Sequence, residues 1–331
     1  FKFIIKRLEK KSHNIKIIAK EKDVTLSLLE NLNFPYQKIS NYYSGIVDKF
    51  IDLLVSEYKF IKICQDFKPD LLMGIGDHYV THMGKLFSKP SLYITDSEPV
   101  PIVNAMSTPF MTYALTPDCF GSDFGKKHKR YNGYHELAYL SPKYFKPNSE
   151  IFNYLGVKKD EPYVIVRFVS WGASHDINES GLFVEQKLKA VESLSKFCRV
   201  FISSEDKLPH AFKKYMISIP PHLMHDAMYH ATLLFGDSQT MTTEAAILGT
   251  PAVRSNSFVG ENDMMNFVEL EKKYNLIFNY RKFDEALDKC ISLLKSKNLK
   301  LEWREKAKIL HDDKEDVVDF FVNFIDNIFL R

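Results

Sequence analysis

Side chains and backbone groups suited to binding an anion are concentrated between Leu234 and Arg254. Residues 231–235 form an apolar run short enough for a buried strand, and residues 240–248 have the length of a short helix. A helix that begins just beyond the carboxyl end of a parallel strand directs unpaired backbone N–H groups and a positive dipole end into the crevice above the sheet. The spacing therefore predicts a phosphate site at the turn, which consists of Gly236, Asp237, Ser238, Gln239 and Thr240.

Two side chains extend this prediction beyond the phosphate. The Ser238 hydroxyl can donate to the same anion, and Glu244, six positions later, lies a little under two turns further along the helix. A carboxylate at that position is placed to accept hydrogen bonds from the hydroxyls of a ribose. The alternative is that Asp237 and Ser238 only cap the helix, as Asp and Ser do in many α/β proteins.

The same stretch resembles a known motif. Asp237-Ser238, then Glu244-Ala245, then Leu248-Gly249-Thr250-Pro251 is similar to the nucleotide-sugar motif of GT-B enzymes, especially the non-hydrolysing UDP-N-acetylglucosamine 2-epimerases and the glycosyltransferase that makes lipid II. In those families the residues that match Ser238 and its small neighbours hold the diphosphate, and the residue that matches Glu244 holds the ribose. With Tyr131-Asn132-Gly133-Tyr134-His135-Glu136 and Val166-Arg167-Phe168-Val169-Ser170-Trp171, the whole chain resembles a GT-B-like family of undetermined function related to those enzymes.

This resemblance implies an α/β fold of GT-B architecture, in which two Rossmann-like parallel-sheet domains face each other across a cleft. Residues 141–148 are punctuated by proline and lack periodicity, which is typical of a linker. We predict an acceptor-side domain over residues 1–145 and a nucleotide-sugar-binding domain over residues 146–331, with C-terminal helices that pack back on the first domain. The chain opens at Phe1 with a helical pattern where the family has a strand, so we expect the first strand of the first domain to lie outside this sequence.

Strand and helix patterns alternate through both halves of the chain. The first half contains a long amphipathic helix at residues 46–67 and predicted strands at residues 15–19, 36–39, 71–75, 91–94 and 111–115. After the linker, the predicted strands are residues 163–169, 199–203, 216–219, 231–235 and 276–278, and the tail from Arg281 is helical.

Arg167 is a charged residue inside the apolar run 163–169 and needs an anionic partner, because burying an unpaired charge is costly. Glu244, Glu179 or a phosphate could supply it, which leaves a structural ion pair and a ligand contact both open. In GT-B folds the loop that matches residues 170–176 faces the donor, so Ser170 and His175 are candidate ligand residues. His175 could donate to a phosphate or act as an acid or base; the alternative is an ordinary loop histidine.

Residues 220–226, which include Met224 and His225, precede a helix that ends just before the central motif. In the resembling enzymes this position holds the base, and backbone atoms there would pair with uracil. The histidines at 222, 225 and 230 lack a consistent i, i+4 spacing, and the pair at 78 and 82 lacks the Glu of H-E-x-x-H. We therefore predict no metal site, and we assign His78 to the lining of the cleft.

The predicted first domain carries further candidates. Asp96 and Glu98 follow a strand, where a general base would deprotonate an acceptor hydroxyl, although Asp-Ser-Glu-Pro is also ordinary turn composition. Asn132, His135 and Glu136 fall where the resembling family crosses between its domains, so we expect them to line the cleft or support the hinge.

Composition excludes several classes of protein. Lys+Arg 45 against Asp+Glu 42 leaves a net charge of +3, which gives no electrostatic case for a nucleic-acid partner. The four cysteines are far apart with no C-x-x-C, which suits a reducing cytosol, and no apolar stretch approaches the ~20 residues needed to cross a bilayer. We expect a cytoplasmic protein, with peripheral contact at the inner face of the membrane left open.

These features favour glycosyl transfer from a UDP-sugar to a glycan or lipid-linked acceptor, as in glycan or cell-surface polysaccharide synthesis. The nucleotide-sugar is then a substrate, and no cofactor is expected. The runner-up is a UDP-HexNAc 2-epimerase, which is weakened because those enzymes carry a His-Arg-Arg-Glu run where this chain has Arg-Phe-Val-Ser-Trp-Gly-Ala-Ser-His-Asp, residues 167–176. A third alternative is a protein that binds a nucleotide-sugar without catalysis.

Overall fold

A computed structural model describes residues 1–21, 25–40, 46–170, 181–260 and 263–330, with only the backbone described for residues 46–50. Its strands are β1 (Ile17–Lys20), β2 (Tyr36–Ser40), β3 (Leu72–Ile75), β4 (Ser91–Ile94), β5 (Tyr113–Pro117), β6 (His128–Tyr131), β7 (Tyr163–Phe168), β8 (Arg199–Ser204), β9 (Leu233–Gly236), β10 (Ala252–Ser255) and β11 (Ile277–Tyr280).

The α-helices alternate with these strands. They are α1 (Lys2–Lys10), α2 (Thr25–Asn31), α3 (Ile46–Phe67), α4 (His78–Leu86), α5 (Pro101–Ser107), α6 (Leu137–Leu140), α7 (Ile151–Leu155), α8 (Val184–Leu194), α9 (Met224–His230), α10 (Thr240–Ile247), α11 (Met265–Lys272), α12 (Phe283–Leu294), α13 (Leu299–Asp313) and α14 (Val317–Phe329). Within the described part of the chain, no helix combines the length and apolar character that a membrane span requires.

The first compact unit comprises Phe1–Gly133 and Val317–Arg331. Its main sheet has the order β3-β4-β5-β6 with every neighbouring pair parallel, and β1 pairs with β2 in a separate parallel sheet. Strand β4 is buried along its whole length, as expected for a central strand covered on both faces. Helix α14 belongs to this unit because it buries an apolar stripe that includes Phe321, whose ring centroid lies 5.4 Å from that of Tyr131.

The second compact unit is Tyr134–Asp316, and its sheet has the order β11-β10-β9-β7-β8 with every pair parallel. Numbered from the unit's own first strand, this order is 2-1-3-4-5, which is a doubly wound Rossmann-like topology. The predicted α/β class with Rossmann-like parallel-sheet domains is therefore confirmed. The predicted domain bounds, 1–145 and 146–331, differ from these units because residues 134–145 fall in the second unit and residues 317–331 in the first.

Local predictions hold best where an apolar run or a strong helix terminator defines the element. Helix α3 covers the predicted residues 46–67, and Gly249 ends the helical segment after α10 with a left-handed φ of 68°. The predicted strand at residues 216–219 is wrong: Met216 makes a single bridge to Ile202, and the following prolines have no N–H for a ladder. The sequence also missed β6, a polar strand whose two middle residues are exposed.

Candidate functional site

The candidate site lies at the topological switch point of the five-stranded sheet, between β7 and β9. These two strands are neighbours and parallel, and β8 and β10 lie on opposite sides of the pair. In open α/β sheets, ligands bind in the crevice outside the carboxyl ends of the strands at this point. The turn that the sequence singled out, Gly236 to Thr240, follows the carboxyl end of β9 and is therefore in the expected position.

Gly236 is required by the close approach of the two strands. It is opposite Arg167 in the register of β7 and β9, and a Cβ atom at position 236 would lie 2.0 Å from the Arg167 carbonyl oxygen. The next residue continues this contact, because the Asp237 N–H donates to the same oxygen at 3.2 Å. A side chain at position 236 would separate the strands at the point where the turn leaves the sheet.

The Asp237 carboxylate is fully buried and holds two distant backbone segments. One oxygen accepts from the Val169 N–H at 2.9 Å, and the other accepts from the Leu182 N–H at 3.2 Å. Asn256 adds a hydrogen bond from its side-chain amide to the Asp237 carbonyl oxygen at 3.1 Å. Asp237 therefore fixes both ends of the segment between β7 and α8, in addition to its place in the predicted phosphate turn.

Helix α10 begins with backbone N–H groups that have no acceptor among the described residues. The N–H groups of Ser238, Gln239 and Thr240 make no hydrogen bond within the described residues, whereas the next N–H, of Met241, donates weakly to the Ser238 hydroxyl oxygen at 3.4 Å. Such N–H groups at a helix start, together with the positive dipole end, favour an anion. The Ser238 hydroxyl is nearby and mostly buried, so both the cap and the phosphate roles that the sequence proposed for it are geometrically compatible.

Glu244 is held by two side chains from other parts of the second unit. Its Oε1 accepts from the Tyr139 hydroxyl at 2.9 Å and lies 2.9 Å from His225 Nε2, while Oε2 makes no hydrogen bond to a described residue. The Glu244 side chain is about 10% exposed. The carboxylate is thus fixed through one oxygen, and the other oxygen can accept from ligand hydroxyls.

Arg167 has a partner that the sequence analysis did not consider. Its guanidinium pairs with Glu205 and donates to the Ser203 hydroxyl at 2.8 Å, and Glu205 also accepts from the Ser170 N–H at 2.9 Å. The reason is the sheet register, because β7 and β8 are adjacent and place these residues at the same edge. The alternative of an Arg167–Glu244 ion pair is therefore wrong, and Glu179 and His175 lie outside the described residues.

The other predicted residues of the second unit fall on two short elements beside Glu244. Met224 and His225 form the first turn of α9, where both are half-buried and His225 points to Glu244. His135 and Glu136 precede α6, and their carbonyl oxygens accept from the backbone of the turn that carries Tyr139. They therefore support the hydroxyl that holds Glu244. Tyr139 was not predicted from the sequence, because a tyrosine flanked by Leu and Ala is typical of a residue that packs in the hydrophobic core.

Three of the described histidines, His78, His82 and His230, are buried or hydrogen-bonded within the fold. Burial, followed by nearby positive charge, lowers the pKa of His230 from 6.5 to about 4, and burial and His82 do the same for His78. His82 contacts Glu57 through Nδ1 at 2.6 Å. Among the described residues, no histidine belongs to a group of three potential ligand side chains close enough to share a metal.

The remaining candidates lie in the first unit. Asp96 accepts from the Ser97 hydroxyl at 3.1 Å, and Glu98 accepts from the Gly121 N–H at 3.0 Å. Both side chains are half-buried beyond the carboxyl end of β4, and Asn132 is half-buried just after β6. The roles predicted for these three residues and for His78 stay predictions.

The chain belongs to the family described as a protein of unknown function (DUF354), whose profile matches residues 1–327. It is also similar to an uncharacterized protein of Methanocaldococcus jannaschii, MJ0665, with 21% identity over 266 residues that cover 76% of each chain.

Three solved structures share its fold. Acinetobacter baumannii MurG has a TM-score of 0.57 at 16% identity, with 98% of this chain and 94% of that one covered. A UDP-GlcNAc 2-epimerase from Methanocaldococcus jannaschii has a TM-score of 0.59 at 15% identity and 89% coverage of both chains. The Neisseria meningitidis UDP-GlcNAc 2-epimerase bound to UDP-GlcNAc has a TM-score of 0.55 at 13% identity, with coverage of 94% and 90%. At these identities the likeness shows the fold alone, and the resemblance to GT-B proteins that the sequence indicated is confirmed.

Proposed function

We propose that this chain is a GT-B glycosyltransferase that binds a nucleotide-sugar, specifically a UDP-sugar, at the switch point of its second sheet. One arrangement carries the proposal. At the start of helix α10 the N–H groups of Ser238, Gln239 and Thr240 have no acceptor among the described residues, and on the same helix one carboxylate oxygen of Glu244 makes no hydrogen bond to them. An anion site, followed along the helix by a carboxylate that can accept hydrogen bonds from hydroxyl groups, matches the diphosphate and ribose of a nucleotide. The fold shared with MurG and two UDP-GlcNAc 2-epimerases supports that match.

The reaction assigns separate tasks to these groups. In glycosyl transfer an acceptor hydroxyl oxygen attacks the anomeric carbon, and the bond from that carbon to the diphosphate breaks. UDP leaves with the bonding electrons while a base takes the hydroxyl proton. The helix N–H groups and the Ser238 hydroxyl would stabilise the charge that develops on the leaving diphosphate, and preorganised donors of this kind commonly supply a large share of a rate enhancement.

The remaining residues would orient the ribose, support the edge of the sheet or act as the base. Glu244, fixed by Tyr139 and His225, would orient the ribose so that the diphosphate lies at the helix start. Arg167 is occupied by Glu205 and would support the edge of the sheet rather than the phosphate. Asp96 and Glu98 are the proposed bases toward a glycan or lipid-linked acceptor.

A ligand panel tests the donor assignment. UDP, GDP, CMP and dTDP, each with a matching sugar, are compared by thermal shift and calorimetry on the whole chain. At ~100 times its dissociation constant a ligand adds about 2.7 kcal/mol to the free energy of unfolding, so the UDP compounds should raise the melting temperature most. No stabilisation by any nucleotide at millimolar concentration would refute the donor site, and binding without sugar transfer or C2 exchange would favour the non-catalytic alternative.

Glu244→Ala tests the ribose contact. Charge-assisted hydrogen bonds contribute ~1.5–3 kcal/mol each, so this variant should bind UDP at least ~10-fold more weakly. Glu192→Ala is the matched control, because Glu192 is an exposed acid in the same unit with no ion pair among the described residues. Unchanged UDP affinity in a folded Glu244→Ala protein would remove the ribose assignment.

A further inference from the structure

Helix α3 of the first unit exposes an apolar stripe on one face. Ile51, Leu54, Val55 and Tyr58 follow an i, i+3, i+4, i+7 spacing and are 53%, 54%, 42% and 60% exposed. The opposite face of the helix is buried, with Phe60, Ile63 and Cys64 in the core. The exposed stripe is therefore additional to the face that the fold uses, and contiguous exposed apolar patches of this kind mark interaction sites.

A basic groove continues directly from this stripe. It encloses about 390 Å³ between α3 and the β1–β2 sheet, and Tyr58 belongs both to its wall and to the apolar stripe. The charged residues that line the groove are Lys16, Lys38, Lys59, Lys62 and Asp66.

Two of these lysines have no carboxylate partner in the part of the chain that the structure describes. Lys38 pairs with Glu21, and Lys59 donates to the Ile39 carbonyl oxygen at 2.8 Å. Lys16 and Lys62 form no ion pair with a described residue, although the Lys62 ammonium lies 5.7 Å from the centre of the Tyr58 ring. The groove therefore has an excess of positive charge even with Asp66 and Glu21 counted.

We propose that α3 lies on an anionic phospholipid surface, with the apolar stripe in the outer acyl region and a lipid headgroup phosphate in the basic groove. Apolar residues along one helix face, flanked by lysines, are typical of helices that lie in a membrane interface. Charge complementarity favours this occupant over a second copy of the chain. A two-fold contact through this face would place the positively charged face of one copy against the same positively charged face of the other.

Vesicle co-sedimentation of the full chain tests the proposal. Phosphatidylcholine vesicles are compared with vesicles that contain about one third phosphatidylglycerol, at low salt and at about 0.5 M salt. We expect binding to the anionic vesicles that weakens at high salt, because added salt shortens the Debye length, the distance over which exposed charges attract each other. Equal binding to both vesicle types, or no binding to either, would contradict it.

Two double variants separate the contribution of the lysines to vesicle binding from that of the apolar stripe. Lys16→Glu/Lys62→Glu should reduce vesicle binding by more than about fivefold per site, and Ile51→Ser/Leu54→Ser should also reduce it strongly. The controls carry the same changes on the second unit. They are Lys295→Glu/Lys297→Glu, at exposed lysines, and Leu301→Ser/Ile309→Ser, at side chains that are 65% and 63% exposed.

Each outcome has a definite meaning. Equal losses in the test and control variants would show that the binding is not localised to α3 and would refute the proposal. Competition by free glycerol phosphate without any effect of Ile51→Ser/Leu54→Ser would replace the lipid by a soluble phosphate. A dimer in sedimentation velocity that these serine variants abolish would replace it by a second copy. UDP affinity, measured on every variant, reports separately on the donor site and on folding.

Discussion

Replacing Gln239 by proline should remove one backbone N–H group that would donate a hydrogen bond to the phosphate, while leaving the fold intact. Gln239 has φ −78°, close to the −65° that proline imposes, and its N–H makes no hydrogen bond within the described residues. Proline is well tolerated at the first position of a helix for these reasons. We therefore expect the melting temperature without ligand to be unchanged or slightly higher, since proline also restricts the unfolded chain.

The cost should appear in phosphate binding alone. A hydrogen bond from a backbone N–H to a charged phosphate oxygen contributes ~1.5–3 kcal/mol, so Gln239→Pro should bind UDP about 10-fold to 150-fold more weakly. Gln239→Ala keeps the N–H and is the matched control, for which we expect an affinity within about threefold of the unaltered protein.

Calorimetry with UDP and with uridine distinguishes this effect from a general disturbance of the site. Uridine has no phosphate, so its affinity should be the same in both variants. If folded Gln239→Pro bound UDP as tightly as Gln239→Ala does, the helix start would not hold the diphosphate. If both ligands weakened equally, the substitution would have moved the site as a whole.

Three further predictions test the reaction, a buried ion pair and the pH dependence of stability. In heavy water, mass spectrometry of UDP-N-acetylglucosamine should show no deuterium at C2, because the epimerase His-Arg-Arg-Glu run is absent; incorporation would favour the epimerase. Asp263→Asn should lower the free energy of unfolding by about 3–5 kcal/mol in urea titrations, because it leaves the fully buried Arg254 without its carboxylate, and a loss below about 1 kcal/mol would contradict this. His78 and His230 have folded pKa values of about 4 against 6.5, so the unfolded chain binds more protons between these values and stability should fall as the pH drops from 6.5 to 4. His230→Asn should flatten that decline, and an identical pH profile would show that His230 does not cause it.

The turn after β9 could be predicted from sequence because its signals are local. Gly236, the Asp237-Ser238 pair and the terminator at Gly249 are turn and helix-end residue types that can be recognised within a short stretch of sequence, and the structure places strand, turn and helix as expected. The partners of these residues could not be predicted in the same way. Tyr139 reaches Glu244 across 105 positions of the chain, and only the packing of α6 against α10 brings them together.

Arg167 shows that the partner of a charged side chain cannot be identified from sequence when the pairing of the strands is unknown. From the sequence, burial demanded an anion, and a nearby acid or a ligand phosphate both satisfied that demand. The pairing of β7 with β8 places Ser203 opposite Arg167, and Glu205 follows two residues later. The available signal was an acid just after the strand that neighbours the strand of Arg167, an arginine that is half-buried in the structure. It becomes meaningful only once the strand order is known.

Asp237 gives the clearest reason to regard the helix start as a preorganised site. A carboxylate beside a diphosphate would repel it, and burying the charge costs free energy unless hydrogen bonds compensate. Here two backbone N–H groups, of Val169 and Leu182, provide that compensation, and in return the carboxylate fixes the ends of the segment between β7 and α8. A helix that needed only a cap would not require a fully buried acid bound to two other segments. In the proposed site, the same residue would therefore order the surroundings of the Ser238, Gln239 and Thr240 N–H groups before a ligand binds, which is the condition under which such groups bind and stabilise an anion effectively.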